Sequence, residues 1–280
     1  MKCLKHNMIE AIDFIERNLK ENITVADIAD AVSYSVYHFC HTFNKLTHHT
    51  PYDYLMRRRL SESAQELIES DKRIIDVAFD YQFNNPETYS RAFKRMFGVQ
   101  PQQWRKQGCI DRRSLMPRLT VKHLEHIAKG NYLKAVLEEK DAFQVVGVMT
   151  LVQDDPGVIS LLWDTLAQEL EGMDATGCRY GIAHYPEGWQ ERGYLYLAAV
   201  EAESLDVSGS ALVVRTVLAS RYARFIHKGP YADLGLTLDY VYQTWLPKSG
   251  QRLAGRFEIE YHEQDSNDEE SEMAIYIPIE

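Results

Sequence analysis

The chain repeats itself at an interval of about fifty residues. Phe39 and Tyr89, Phe43 and Phe93, Pro51 and Pro101, and Tyr54 and Trp104 each stand 50 apart, and Ile28-Ala29 returns as Val77-Ala78 at an offset of 49. A fixed internal period means that one supersecondary unit is built twice, and it has to be settled before any fold is assigned. The unit reads as a small-residue helix, a turn, an aromatic-anchored helix, a proline and an aromatic. That order predicts two helix-turn-helix units in one chain.

The second copy shows the local logic most clearly. Asn84-Asn85-Pro86 opens a helix, Gly98 stops it and Pro101 starts another. Tyr89, Phe93, Met96 and Phe97 form its apolar edge, and Arg91, Lys94 and Arg95 its basic edge. A short helix that anchors on one side and offers arginine on the other suits a nucleic-acid groove; a surface helix with a solvated basic face is the plainer alternative. Upstream, Met8, Ile12, Ile15 and Leu19 keep helical spacing over residues 7–20, and Thr24 with Asp27 reads as a capping box. Val36, Phe39, Cys40 and Phe43 anchor the first copy's second helix and leave Tyr37, His38, His41 and Lys45 outward. Pro51 starts a long helix reaching about Ser70, and no strand pattern precedes about residue 132.

Charge divides the chain. Residues 1–107 carry 15 Lys+Arg and 14 Asp+Glu, and the remainder 16 and 27. A net charge of −10 does not exclude nucleic acid, because phosphate is met locally and the acid lies in the other half. No apolar stretch approaches a membrane span, and the N-terminus lacks the apolar core of a signal peptide. Four cysteines at 3, 40, 109 and 178 have no paired short spacing, so they read as reduced thiols of a cytoplasmic protein and not as a metal or disulfide framework. His48-His49 has no acid or cysteine spaced to make a metal site.

The first hundred residues resemble the DNA-binding domain of the AraC/XylS family of bacterial regulators. The resemblance rests on Ile28-Ala29, Tyr37-His38-Phe39, Phe43-Asn44-Lys45, Pro51-Tyr52-Asp53-Tyr54-Leu55, Arg59-Leu60, Ala64, Ile75-Asp76-Val77-Ala78, Phe83, the run from Tyr89 to Pro101, and Trp104-Arg105. It implies recognition helices at about 35–46 and 86–97 on one rigid linker helix, reading adjacent major-groove segments. The implied DNA-facing residues are Ser35, Tyr37, His38, His41 and Lys45, then Asn85, Glu87, Thr88, Ser90, Arg91, Lys94 and Arg95. Two features depart from the family. Gln82 stands where it usually has glycine, and a side chain there carries a backbone cost. The first recognition helix lacks arginine, so it cannot form the bidentate fork to guanine. Glu87 has two readings, an acceptor for cytosine or a charge that favours the helix N-terminus.

From Leu133 the pattern becomes strand and helix. Strands are expected at 143–149, 180–185, 193–200, 222–227, 256–263 and 273–279, with helices carrying Val158, Leu162, Leu166 and Leu170, then Leu234, Leu238, Val241 and Trp245. Two strand-helix-strand-strand units predict an α+β domain with pseudo-two-fold symmetry. This half resembles the gyrase-inhibitor-like effector-binding domain, on Arg221 to Tyr231, Leu234-Gly235, Trp245 to Gly250, Phe257 to Tyr261 and Ile275 to Ile279. The resemblance implies a groove lined by aromatics with a central glutamate, binding amphipathic and often cationic compounds. Strand alternation puts Glu258, Glu260 and His262 on one face and Phe257, Ile259 and Tyr261 on the other. Helices are expected on the apolar face, leaving the glutamates toward an open groove. Either glutamate can be the central one, since Glu258 is three residues before Tyr261 and Glu260 one. Trp163, Tyr180, Tyr185, Trp189, Tyr194 and Tyr196 are the expected walls, although Trp163, like Trp245, also suits a helix core.

The expected architecture is therefore an all-α double helix-turn-helix head over 1–107, a connector over 108–131 and an α+β small-molecule domain over 132–280. Residues 112, 113 and 118 of the connector are arginines that read as solvated charge, and the acidic run 265–272 reads as a mobile hairpin end. The expected function is a cytoplasmic, ligand-responsive transcription regulator with double-stranded DNA, a small effector and RNA polymerase as partners. Neither cofactor, metal nor catalytic residue is expected. The alternatives are a hydrolase using Glu258 or Glu260 with a tyrosine, and a module that sequesters a protein.

Overall fold

The computed structural model describes residues 2–108, 112–129, 134–153, 155, 157–171, 173, 178–202, 211–262 and 272–280. Cys109 and most of the acidic run, 265–271, lie outside them. The chain forms two compact units, Met1–Gly130 with Leu238–Lys248, and Asn131–Thr237 with Ser249–Glu280. No helix among the described residues is long and apolar enough to cross a membrane, and none of their His, Cys, Asp and Glu side chains cluster in threes to hold a metal.

The first unit is helical: α1 (Lys2–Arg17), α2 (Val25–Ala31), α3 (Val36–Thr47), α4 (Pro51–Glu69), α5 (Ile74–Asp80), α6 (Pro86–Phe97), α7 (Pro101–Gln107) and α8 (Val121–Ala128). The boundaries are set locally. Thr24 and Asp27 form the capping box of α2, Ser35 caps α3, and Thr50 with Pro51 starts α4. Asn85 accepts from the backbone of Glu87 and Thr88 to start α6, and Gly98 ends it at φ 77°. The repeat also appears as packing. Phe39, Phe43 and Tyr54 stack at 5.5 and 5.8 Å in the first copy. Tyr89, Phe93 and Trp104 do so at 5.5 and 5.8 Å in the second. Helix α4 joins them, because its Ser63 Oγ accepts from the Tyr89 hydroxyl and its Ala64 carbonyl from the Trp104 indole.

Residues 115–124 of the stretch read as a connector contribute to this core. Leu115, Met116, Leu119 and Leu124 are buried in it. The Met116 amide donates to Ser61 Oγ at 2.8 Å, its carbonyl accepts from Arg58 at 2.7 Å, and the Leu119 amide donates to the Tyr54 hydroxyl at 3.2 Å. Residues 238–248 are built into the same unit. His49, with its side chain fully buried, meets Asp53 through Nδ1 at 2.9 Å and Thr244 Oγ1 through Nε2 at 3.0 Å. His48 Nδ1 meets the Tyr240 hydroxyl at 3.1 Å.

The second unit holds β1 (Val136–Lys140), β2 (Phe143–Val152), α9 (Gly157–Glu169), β3 (Arg179–His184), α10 (Trp189–Arg192), β4 (Tyr194–Glu201), β5 (Val213–Val217) and β6 (Ser220–Lys228). Next in the chain come helix α11 (Leu234–Tyr240), a π-helical turn (Val241–Trp245) and α12 (Leu246–Ser249), whose residues 238–248 belong to the first unit, and the second unit resumes with β7 (Phe257–His262) and β8 (Glu272–Ile279). The strands make one antiparallel sheet in the order β1-β6-β8-β7-β3-β4-β2-β5. Its register sets Gly181 opposite Glu260 and Ala183 opposite Glu258. One face carries Ala183, Tyr185, Tyr196 and Ala198 under Ile159, Leu162 and Leu166 of α9. The other carries Tyr180, Tyr222, Ile259, Tyr276 and, at its margin, Phe257 and Tyr261. The helix thus packs on the face that carries the glutamates, the reverse of the sequence expectation. The apolar triplet needs no helix because strand aromatics cover it, with Tyr180 and Tyr276 edge-on to Tyr261 at 5.4 and 6.3 Å.

Candidate effector cup and DNA-reading helices

The two glutamates of β7 form the centre of the second unit's candidate site. Both are closed in, Glu258 at 2% and Glu260 at 4% exposure. Buried carboxylates need donors, and tyrosines supply them. Glu260 Oε2 accepts from the Tyr196 hydroxyl at 2.6 Å and Oε1 from the Tyr231 hydroxyl at 3.2 Å. Glu258 Oε2 accepts from the Tyr185 hydroxyl at 3.3 Å. Burial, followed by the charge of Glu260, raises the Tyr196 phenol well above its usual range. Burial and the two glutamates push Tyr194 up to about 12. These phenols therefore remain donors at neutral pH.

An aromatic wall surrounds the acids. Tyr185 lies 5.0 Å from Trp189 and 5.2 Å from Tyr194, centre to centre, and Trp189 lies 6.1 Å from Tyr194. Trp163, on α9, stands edge-on to the His262 ring at 5.8 Å. The structure thus gathers Glu258, Glu260, Trp163, Tyr185, Trp189, Tyr194 and Tyr196 around one face. It does not bring Tyr180 to them. That side chain lies on the opposite face, donating to Glu201 at 2.6 Å, because it alternates with Gly181 along β3.

Three residues of the site were not read from the sequence. Tyr231 reaches Glu260 from the 3₁₀ turn Tyr231–Asp233, and it stood in the sequence as the end of Lys228-Gly229-Pro230-Tyr231. His262 shares the glutamate face of β7 and was named there without a role. Gly181 sits opposite Glu260, a position that only strand register reveals.

In the first unit Ser35, Tyr37, His38, His41 and Lys45 are exposed on or before α3, and Tyr37 is 85% exposed. The His38 ring stands edge-on to Tyr34 at 4.7 Å. On α6, Glu87, Thr88, Arg91, Lys94 and Arg95 are exposed, while Ser90 is half-buried. Asn85 is exposed too, but its side-chain oxygen is engaged as the helix cap. Each helix therefore buries its aromatic edge and presents the other to solvent, as a helix that enters a groove must.

The helix-turn-helix domain family matches residues 28–107, and the family described as GyrI-like small molecule binding domain matches residues 134–280. A 135-residue stretch is 33% identical to the HTH-type transcriptional regulator YbfP of Bacillus subtilis, covering 48% of this chain and 43% of YbfP. The match therefore spans less than half of that relative. Another stretch, of 94 residues, is 34% identical to the multiple antibiotic resistance protein MarA of Escherichia coli and covers 34% of this chain and 74% of MarA. Among solved structures, an AraC-type regulator from Chromobacterium violaceum shares 24% identity over 38% of this chain and 95% of its own, with a TM-score of 0.36. The EcmrR C-terminal domain shares 19% over 52% and 97%, with a TM-score of 0.44. The chain belongs to the AraC-type helix-turn-helix regulators that carry a GyrI-like small-molecule-binding domain.

Proposed function

We propose that this chain regulates transcription in response to an amphipathic cation. Helices α3 and α6 read double-stranded DNA, and the cup around Glu260 holds the effector. One observation carries the cationic reading: a carboxylate at 4% exposure that accepts from two tyrosine hydroxyls inside an aromatic wall. A bulky cation is drawn there by the carboxylate and by ring quadrupoles, the latter contributing up to ~2 kcal/mol per ring when desolvated. Glu260 is taken as the central acid because tyrosines from two different elements, Tyr196 of β4 and Tyr231 of the 3₁₀ turn, orient its two oxygens.

Calorimetric titration with a lipophilic phosphonium tests this. Glu260→Gln keeps the shape and removes the charge, and is expected to weaken binding by roughly 2–5 kcal/mol, as for a desolvated charge partner. Glu258→Gln is expected to cost less. Unchanged affinity in Glu260→Gln would sink the cationic reading and favour a neutral or anionic effector. For the head, Arg91→Ala is expected to weaken specific DNA binding by roughly 1–3 kcal/mol if the guanidinium reads a base edge. A gel-shift titration showing no change would remove α6 from the reading surface at that point.

A further inference from the structure

We infer that His262 is a second polar contact of the cup and makes it favour cations that carry a hydrogen-bonding group beside the charged centre. The inference rests on the cation reading above and adds a specificity determinant to it. His262 is two residues beyond Glu260 on β7, so its side chain emerges on the same face. Its Nε2 lies 4.0 Å from Glu260 Oε2, too far for a hydrogen bond. That nitrogen is buried and has no hydrogen-bond partner among the described residues. The ring is held edge-on by Trp163 at 5.8 Å, and a quarter of the side chain remains exposed.

These facts point to a ligand contact and not to an internal bond. Both Glu260 oxygens are already engaged by Tyr196 and Tyr231, and Tyr185 serves Glu258. A buried ring nitrogen without a partner is costly, and an arriving polar group relieves that cost. An effector whose cationic centre sits against Glu260 places its neighbouring atoms within reach of a nitrogen only 4.0 Å from that carboxylate. A hydroxyl suits the position whichever tautomer the imidazole adopts, because it both donates and accepts. A site built to make such a bond discriminates against the analogue that lacks it.

The test uses the full-length chain and two probes of nearly equal size, propyltriphenylphosphonium and 2-hydroxyethyltriphenylphosphonium. The ratio of their affinities is read by calorimetry in the parent, His262→Phe and His262→Gln. The ratio is expected to move roughly tenfold against the hydroxyl compound in His262→Phe, the size of one net hydrogen bond. Propyl-compound affinity is the internal reference in each protein, and cooperative denaturant unfolding reports that each variant folds. His262→Gln should restore part of the hydroxyl preference. The inference is overturned if the ratio is the same in all three proteins, or if His262→Phe weakens both probes equally, which marks a packing role. If neither probe binds the parent, the cation reading fails and this inference falls with it. If both bind, Glu260→Gln abolishes both and the ratio does not respond to residue 262, the cation reading stands and only this inference fails.

Discussion

Gly181 leaves room for the Tyr196–Glu260 pair at the centre of the proposed effector cup. A Cβ at this position would lie 2.1 Å from the Tyr196 hydroxyl oxygen and 2.7 Å from Glu260 Oε2, the two partners of the 2.6 Å hydrogen bond. Gly181→Ala is therefore expected to displace that pair, to cost about 1–3 kcal/mol of stability by overpacking, and to weaken phosphonium binding at least tenfold. Denaturant unfolding and calorimetry read the two effects, and affinity equal to the parent's would show that the Tyr196–Glu260 bond is dispensable. Nothing in the string Tyr180-Gly181-Ile182 announces this, because the clash comes from strands β4 and β7 and depends on register. Gln82 is the opposite case. The family resemblance marked it as a side chain where glycine is usual, and the residue indeed takes φ 64°. Its Nε2 donates to the Lys20 carbonyl at 2.6 Å, a bond that offsets part of the backbone cost and that only the folded chain reveals.

Helices were the most legible elements. Their caps and stops are encoded within a few residues, so Pro51, Asn85-Pro86 and Gly98 mark the start of α4 and both ends of α6 in the sequence as in the fold, while the caps at Ser35 and Thr50 emerge from the structure. The turn between α3 and α4 shows the limit of that reading. His48-His49 offered no role in sequence, yet His49 is buried between Asp53 and a residue almost two hundred positions away. Burial lowers its pKa, and a neutral ring with Nδ1 donating to the carboxylate leaves Nε2 to accept from the Thr244 hydroxyl. Thr244→Val removes that donor and leaves the nitrogen unpaired. The expected cost is about 1–3 kcal/mol, visible as a lower midpoint in denaturant unfolding of the full chain. A midpoint equal to the parent's would show that Thr244 contributes no net hydrogen bond. The sheet was half legible in the same way. Alternation correctly separated Glu258 and Glu260 from Phe257, Ile259 and Tyr261, but which face α9 would cover depends on what the neighbouring strands contribute, and β7 alone does not contain that information.

At the scale of the whole chain, the boundaries of the first unit decide what a working head fragment must include. Leu115, Met116, Leu119 and Leu124 complete the core begun by α1 and α4, and Arg58 and Tyr54 bond the backbone there. A fragment of residues 1–129 is expected to melt above one of residues 1–107, since truncation at 107 exposes that apolar surface and leaves buried polar groups unpaired. Equal melting temperatures would show that 108–129 add nothing to the head. The sequence by itself determined the fifty-residue repeat, the capped helices, the switch from helical to strand periodicity and the paired acids of β7, because each of these is written in residues adjacent in the chain or at a fixed spacing. Only the tertiary structure decided that Glu260 is gripped by Tyr196 and Tyr231, that Tyr180 faces away, and that residues 115–127 and 238–248 belong to the first unit. Those outcomes depend on strand register and on which distant surfaces remain to be covered, and neither is encoded in local periodicity.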